Sequence, residues 1–514
     1  MRLPTSITPA EAQGSTVPQS KGSPLLFLLQ PHGGSRHKAG VTMGAVLALT
    51  LAGCSMEPKY VQPAAPVPPS WPVGDAYLKQ SEAALPAVTY RDIFRDARLQ
   101  KLIEQALTEN RDLRIAAANI RAAREQYRIQ RADRLPEVAA GAGATVSDGQ
   151  SSGATTATSG SGRRTRFTAD VGITGFELDL FGRVASLTRA EQNRYFATEA
   201  GARATYLTLV GDIADAWLRY AADASLLQIA QDTASNAENS VRLTRARLEG
   251  GIAPRTDLRQ AEQVLEGARA DLAEQRTALA QDINALQLLV GAPIDTALLP
   301  ASLDQAAPTV AELPAGIDSG VLLRRPDVVQ AEYTLRAANA EIGAARAALF
   351  PRISLTGLLG LASNALTGLF SGNGFNWSAG ASADYSIFNA GAGRAGVRLS
   401  EAQRDAAVAT YERAIQSAFR EVADALARRG TITEQLRATD AQAAAAADTY
   451  RLAEARYRGG IDTFLNSLDA QRSLYAARRT AVNTRLIQAS NLVTLYRTLG
   501  GDSLLTATPQ GPTP

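Results

Sequence analysis

Four short segments alternate apolar and polar positions with the two-residue period of a β-strand. Val138, Ala140, Ala142, Ala144 and Val146 share one face of the first. In the second, Phe167, Ala169, Val171 and Ile173 share a face, and the phase then slips to Phe176, Leu178 and Leu180. A bulge near Gly175 accounts for the slip. Ile353, Leu355, Gly357, Leu359 and Leu361 line the third. In the fourth, Trp377, Ala379, Ala381, Ala383, Tyr385 and Ile387 alternate with Ser, Gly, Ser, Asp and Ser. The pattern predicts strands over about 136–147, 166–180, 352–362 and 376–388. Each is about ten residues, the length at which a tilted strand crosses a bilayer. Ordinary soluble hairpins give the same alternation.

A long tract with helical spacing follows each strand pair. Leu207, Val210, Ala214, Trp217, Leu218 and Ala221 form a stripe at three- and four-residue intervals, as do Tyr411, Ile415, Ala418, Val422 and Ala425. This near-heptad spacing implies coiled-coil-like packing. The tracts, about 185–250 and 395–458, end at Gly250-Gly251 and Gly459-Gly460. Glycine just past the last turn is a common helix stop. Further helices follow over about 256–290 and 463–499, ending at Gly291 and Gly500.

These elements come in two copies. Asn110–Val138 aligns without a gap on Arg325–Ile353, so that Asp112 falls on Asp327, Arg121 on Arg336 and Pro136 on Pro351. Ala246–Ile252 falls on Ala455–Ile461. The repeats, 91–300 and 301–505, each read helix, strand, strand, long helix, tight turn, helix. Units of this length are too long for a solenoid.

Composition removes whole classes of chemistry. His32 and His37 are the only histidines and Cys54 the only cysteine, so nothing beyond Cys54 can build a Ser-His or Cys-His nucleophile or most zinc sites. No enzymatic activity is expected. A net charge of +3 over 514 residues gives no reason to expect a nucleic-acid partner. Aromatic residues make up only 6 %, and alanine runs such as Ala441–Ala447 favour close helix packing.

The N-terminus carries a targeting signal. Arg36-His37-Lys38, the apolar run Val41–Leu51 and the quartet Leu51-Ala52-Gly53-Cys54 read as a secretory leader, 1–53, ending in a bacterial lipoprotein box. Cys54 is then the lipidation site, taking a diacylglycerol on sulfur and an acyl chain on its new amino group. Ser55, rather than Asp, after the cysteine points to the outer membrane. The segment 54–90, rich in proline at positions 58, 63, 66, 68, 69 and 72, reads as an extended tether, and 506–514 as a disordered tail.

Four membrane-length strands cannot close a barrel, and an open sheet in lipid leaves edge N–H and C=O groups unpaired at several kcal/mol each. Either the strands do not lie in a membrane, or several chains complete one barrel. Three motifs carry a resemblance. Phe176–Arg183 (FELDLFGR) resembles the strand-to-helix junction of TolC-like outer-membrane factors of the lipoprotein, NodT-type branch. Leu323–Asp327 with Phe350–Gly357 resembles that family's second-repeat signature. Arg456–Gly460 with Leu468–Gln471 resembles its periplasmic hairpin. The likeness runs from about residue 60 to 505.

The resemblance implies an α+β membrane protein: a homotrimer with a twelve-stranded outer-membrane β-barrel, four strands per chain, continued by a long periplasmic α-helical barrel with a partial equatorial domain. It implies the exit duct of a tripartite efflux pump, joined through a periplasmic adaptor to an inner-membrane pump of the resistance-nodulation-division type. On the family pattern, Leu465 and Asp469 match a constriction at the tunnel end, Arg458 a basic residue beside it, and Asp462 lies in the same turn. Salt links from Arg458 to neighbouring helices are expected to hold that end closed. The hairpins Gly250, Gly251, Ile252, Ala253 and Gly459, Gly460, Ile461 match the adaptor-docking tips. Two other readings stay open from the sequence: the channel of a type I protein secretion system, and a lipid-anchored coiled coil without a pore.

Overall fold

The structure, a computed structural model, describes residues 55–74, 76–77, 89–147, 164–310, 319–371 and 374–501. The leader, Cys54, part of the proline-rich segment, the first strand-to-strand loop and the C-terminal tail lie outside the described residues.

Helices α1 (Ala97–Glu109) and α2 (Arg111–Ala132) lead into strands β1 (Val138–Ser147) and β2 (Arg164–Glu177). Then come α3 (Arg183–Glu249) and α4 (Arg255–Val290). The second copy has α5 (Pro326–Ala347), β3 (Arg352–Ser363), β4 (Phe375–Asp384), α6 (Ala392–Arg458) and α7 (Phe464–Thr498). The duplication shows in the helix boundaries: α5 repeats α2 with both ends 215 residues on, and α6 repeats α3 with both ends 209 residues on. At 1.5 Å per residue, each 67-residue helix is about 100 Å long.

Chemically different residues close the same joint in both copies. Asn110 Nδ2 donates to the Leu289 carbonyl at 2.7 Å, joining the start of α2 to the end of α4. At the equivalent joint Arg325 Nη1 donates to the Thr498 carbonyl at 2.8 Å. Arg325 is only 7 % exposed, and its charge is met by Asp327 at 2.7 Å and Glu421 at 2.9 Å. Such pairing is what makes a buried guanidinium tolerable.

The main core surrounds the middle of α3. Trp217 is fully buried there and donates its indole N–H to the Leu298 carbonyl at 3.1 Å. The stripes expected from the sequence, Leu207 to Ala221 and Tyr411 to Ala425, are all buried in it. Short helical segments at Tyr90–Ile93, Thr296–Leu298, Leu303–Ala306 and Ser319–Arg324 pack around this level.

The strands form one antiparallel sheet in the order β1-β2-β3-β4, so β2 and β3 join the two repeats. Residues opposite one another share a face. One face is apolar: Ala140, Val171, Leu359 and Trp377 make one row, and Ala142, Ala169, Leu361 and Phe375 the next. The other is small or polar, as in the row Gly141, Asp170, Gly360 and Asn376. The register shifts between Ile173 and Phe176, and Gly175 has φ +84°. This bulge puts Phe176 opposite Leu355 and Glu177 opposite Ser354, preserving both faces beyond the slip. The fourth strand stops at Asp384 rather than at 388, because Asp384 pairs with Arg352, the first residue of β3, and no partner remains beyond it.

The proline-rich segment is not a free tether. Arg189 on α3 bonds Glu57 at 2.6 Å and Ser55 at 3.1 Å. Asn339 Nδ2 donates to the Pro58 carbonyl at 2.8 Å, Tyr60 donates to Glu332 at 3.2 Å, and Gln62 donates to Tyr411 at 3.0 Å. Trp71 stacks on Phe419 at 4.9 Å. The segment is extended because proline forbids helix, yet side-chain anchors pin it as a strap across α3, α5 and α6. Gly343 makes room for it: a Cβ there would lie 2.8 Å from Glu57 Cα.

Candidate functional site

The turns joining α3 to α4 and α6 to α7 are built alike. Gly250, Gly251 and Ile252 donate their N–H groups to the carbonyls of Ala246, Leu248 and Arg247 at 3.0, 3.0 and 2.9 Å. Gly459, Gly460 and Ile461 donate to Ala455, Tyr457 and Arg456 at 3.0, 3.0 and 2.9 Å. Gly251 at φ +76° and Gly460 at φ +73° occupy the left-handed position that ends a helix in a Schellman motif. The tip residues Ile252 and Ile461 are 75 % and 69 % exposed. Ala253 leads the first turn into Pro254, and the second turn instead carries Asp462.

Asp462 organises its turn. It accepts from the Thr463 N–H at 2.9 Å, from Asn466 at 2.5 Å and from Arg456 at 3.2 Å. The Thr463 N–H above all, then Asn466 and Arg456, holds this carboxyl below the usual carboxylate range. Leu465 and Asp469 lie one turn apart on a solvent-exposed face of α7, 50 % and 62 % exposed. Asp469 has Arg472 at 3.9 Å on the same helix, too long for a hydrogen bond. The structure therefore brings Leu465 and Asp469 onto one face. Among the described residues of this single chain, Arg458 bonds Glu454, one turn back on α6, at 2.6 Å. The side chain emerges there beside a carboxylate four residues away, the spacing at which helix neighbours meet.

Near the turns, Arg247 ties the two hairpins together. It donates to the Tyr457 carbonyl at 3.1 Å, and its guanidinium lies 4.6 Å from the centre of the Tyr457 ring. Below it, Ala237, Val241, Leu258, Ala261 and Leu265 of the first hairpin pack with Tyr457, Phe464 and Leu468 of the second in a small separate core. Tyr457 and Phe464 are in tilted contact at 5.3 Å. The available signal was the repeat itself. Arg247 is the counterpart of Arg456, but the first turn has Ala253 where the second has Asp462. With no carboxylate in its own turn, Arg247 reaches across; Arg456 is held at home.

Two segments, 102–292 and 319–501, match the family described as outer membrane efflux protein, one in each copy of the duplication. The chain belongs to that family. Among its relatives is the toluene efflux pump outer membrane protein TtgC of Pseudomonas putida, 44 % identical over 463 residues, covering 89 % of this chain and 94 % of that protein. Outer membrane protein OprJ of Pseudomonas aeruginosa is 40 % identical over 456 residues, covering 89 % and 94 %. The open state of the MtrE outer membrane channel of Neisseria gonorrhoeae superposes with a TM-score of 0.77 at 35 % identity, covering 87 % of this chain and 98 % of that one. The fold is thus that of the family's channels, a trimeric twelve-stranded outer-membrane β-barrel with four strands per chain, continued by a long α-helical barrel. This chain is an outer-membrane exit duct for efflux. The family's efflux-channel relatives are channel proteins rather than enzymes.

Proposed function

We propose that three chains form a duct that passes small toxic compounds, solvents and drugs among them, from a resistance-nodulation-division pump and its periplasmic adaptor to the cell exterior. The sheet carries this reading: one apolar face, one polar face and two edge strands exposed along their whole length. A wall of that kind is stable in lipid only when other copies cover its edges. The helices support the same assembly. Arg497 on α7 reaches Asp212 on α3 within the chain at 3.2 Å, whereas its counterpart Leu288 on α4 is 80 % exposed. What α7 does to α3 inside one chain, α4 does to α6 of the next.

The hairpin ends act as the periplasmic gate. Leu465 and Asp469 face the axis, where three leucines narrow the pore by dewetting and three carboxylates favour cations. Asp462 and Arg458 shape the turn and its charge. The exposed tips at Gly250–Ala253 and Gly459–Ile461 receive the adaptor, small residues allowing its backbone close approach. Cys54 carries the lipid. The strap supports this, since Ser55 is held at Arg189, only six residues into the helix that leaves β2 by the loop at Gly182. Toluene and antibiotic efflux are named for relatives of this chain, which favours small molecules over protein cargo. Deleting the gene and screening susceptibility to solvents and antibiotics tests the proposal. Sensitisation restored by the wild-type gene, but not by a Gly251→Trp/Gly460→Trp variant that still forms trimers, is expected. Unchanged susceptibility across a broad panel would refute it.

A further inference from the structure

Asp170 places a carboxylate in the middle of the sheet. It sits at the centre of β2, and neither a hydrogen bond nor an ion pair engages its carboxylate among the described residues. At the helical end of the sheet Glu177 pairs with Arg183 at 2.6 Å and approaches Arg352 at 3.9 Å, and Arg352 lies opposite Asp384 in the register. Asp170 is flanked across the sheet by Gly141 and Gly360, with Asn376 beyond. The glycines clear its surroundings. A Cβ at Gly141 would lie 3.0 Å from the Asp170 carboxylate oxygen, and one at Gly360 would lie 3.3 Å from Asp170 Cβ.

The register decides which way the residue faces. Its row belongs to the small and polar face; the rows on either side along the strand, Ala142-Ala169-Leu361-Phe375 and Ala140-Val171-Leu359-Trp377, belong to the apolar face. A charge at mid-depth on the lipid side is strongly unfavourable, while a lumen position tunes what passes. Arg166 occupies the same face four residues nearer the outer loop, about 14 Å along the strand.

Resting on the trimeric-barrel reading, we propose that the three copies of Asp170 form an acidic ring half-way through the β-barrel lumen, with three Arg166 side chains as a basic ring on its outer side. The acidic ring makes a second, fixed charge filter, separate from the helical end, that favours passage of cationic over anionic solutes within a screening length of it. Glycine on both sides keeps the carboxylates hydrated and reachable. At about 0.1 M salt the screening length is ~10 Å and at 1 M ~3 Å, so the ring acts at low salt and fades at high salt.

The test uses the purified full-length trimer in planar lipid bilayers, with reversal potentials read under a KCl gradient. Asp170→Asn is expected to lower the potassium-to-chloride permeability ratio about twofold near 0.1 M and leave it unchanged near 1 M. An Asp469→Asn channel should keep the 0.1 M contribution of Asp170. Asp170→Cys should react with a charged methanethiosulfonate reagent and change conductance, whereas Val171→Cys, on the apolar face, should not. A conducting Asp170→Asn channel with wild-type selectivity at low salt overturns the ring, as does modification at Val171→Cys without modification at Asp170→Cys. If Asp170→Asn yields no channels, the cysteine pair alone decides. A wild-type protein that never conducts would instead count against the barrel reading itself.

Discussion

Removing the guanidinium of Arg247 should loosen the periplasmic end of the duct. Two contacts vanish in Arg247→Ala: the charged hydrogen bond to the Tyr457 carbonyl at 3.1 Å and the cation–π contact at 4.6 Å. At a half-buried position the first is worth about 1.5 kcal/mol and the second about 1 kcal/mol. Discounted for solvent screening, the tie contributes about 2 kcal/mol per chain. If the three hairpin pairs separate together, about 6 kcal/mol is lost, enough to shift a closed-to-open ratio by about 10⁴. Single-channel recording in planar bilayers should then show the variant dwelling in states of higher conductance. Tyr457→Phe is the control. It keeps the ring and carbonyl and removes a hydroxyl that has no partner among the described residues, so its conductance should match the wild type. Wild-type conductance in Arg247→Ala would refute the reasoning, because it would mean that the two hairpins move as one body and the tie is never broken.

Three further outcomes follow from the packing. Burial, together with the neighbouring Asp223 carboxyl and against the pull of Arg219, pushes Asp282 up to about 7, with Tyr220 nearby. Its folded value exceeds the ordinary carboxyl value of about 4, so the stability it contributes is complete below that value and is lost as pH rises through about 7. The apparent melting temperature in detergent should fall between pH 5 and pH 8, and Asp282→Asn should flatten that fall; parallel profiles would contradict the assignment. Gly343→Ala should lift the strap, since the added Cβ meets Glu57 Cα at 2.8 Å, and speed tryptic cleavage at the exposed Lys59. Gly291→Ala should destabilise by about 3 kcal/mol, from its left-handed φ of +79° plus a clash at 2.6 Å with the Glu109 carbonyl. Gly500→Ala, with room to 3.6 Å, should cost only about 1 kcal/mol; equal losses in thermal melts would show that crowding is irrelevant there.

What the sequence made legible was local. Alternation at Val138–Val146 or Ile353–Leu361 depends only on neighbours along the strand, and the slip at Gly175 was visible as a break of phase. The glycine pairs marked both turns because a left-handed helix stop selects glycine whatever packs nearby. The residues that connect elements were hidden. Arg247 reads like any helix-end arginine until Tyr457 is placed beside it. Arg458 pairs with Glu454 one turn away on its own helix, a contact that depends on side-chain placement rather than on any sequence period. The anchors of the strap were hidden because its composition is that of a linker, while Glu57, Tyr60 and Trp71 follow no period. Asp170 belongs to no sequence pattern, since its meaning depends on the glycines that two other strands bring alongside it.

The seam of the duplication runs through the middle of the sheet, between β2 and β3, and leaves β1 and β4 as its margins. Each chain thus carries one complete internal junction and half of two others. A solitary chain has no stable way to enter a bilayer, so insertion and self-association form a single event whose rate depends steeply on chain concentration. A subunit with a damaged margin but a sound interior would be recruited by normal chains and spoil the ring it joins. Loss of function from such a defect would therefore be dominant when both forms are made in one cell.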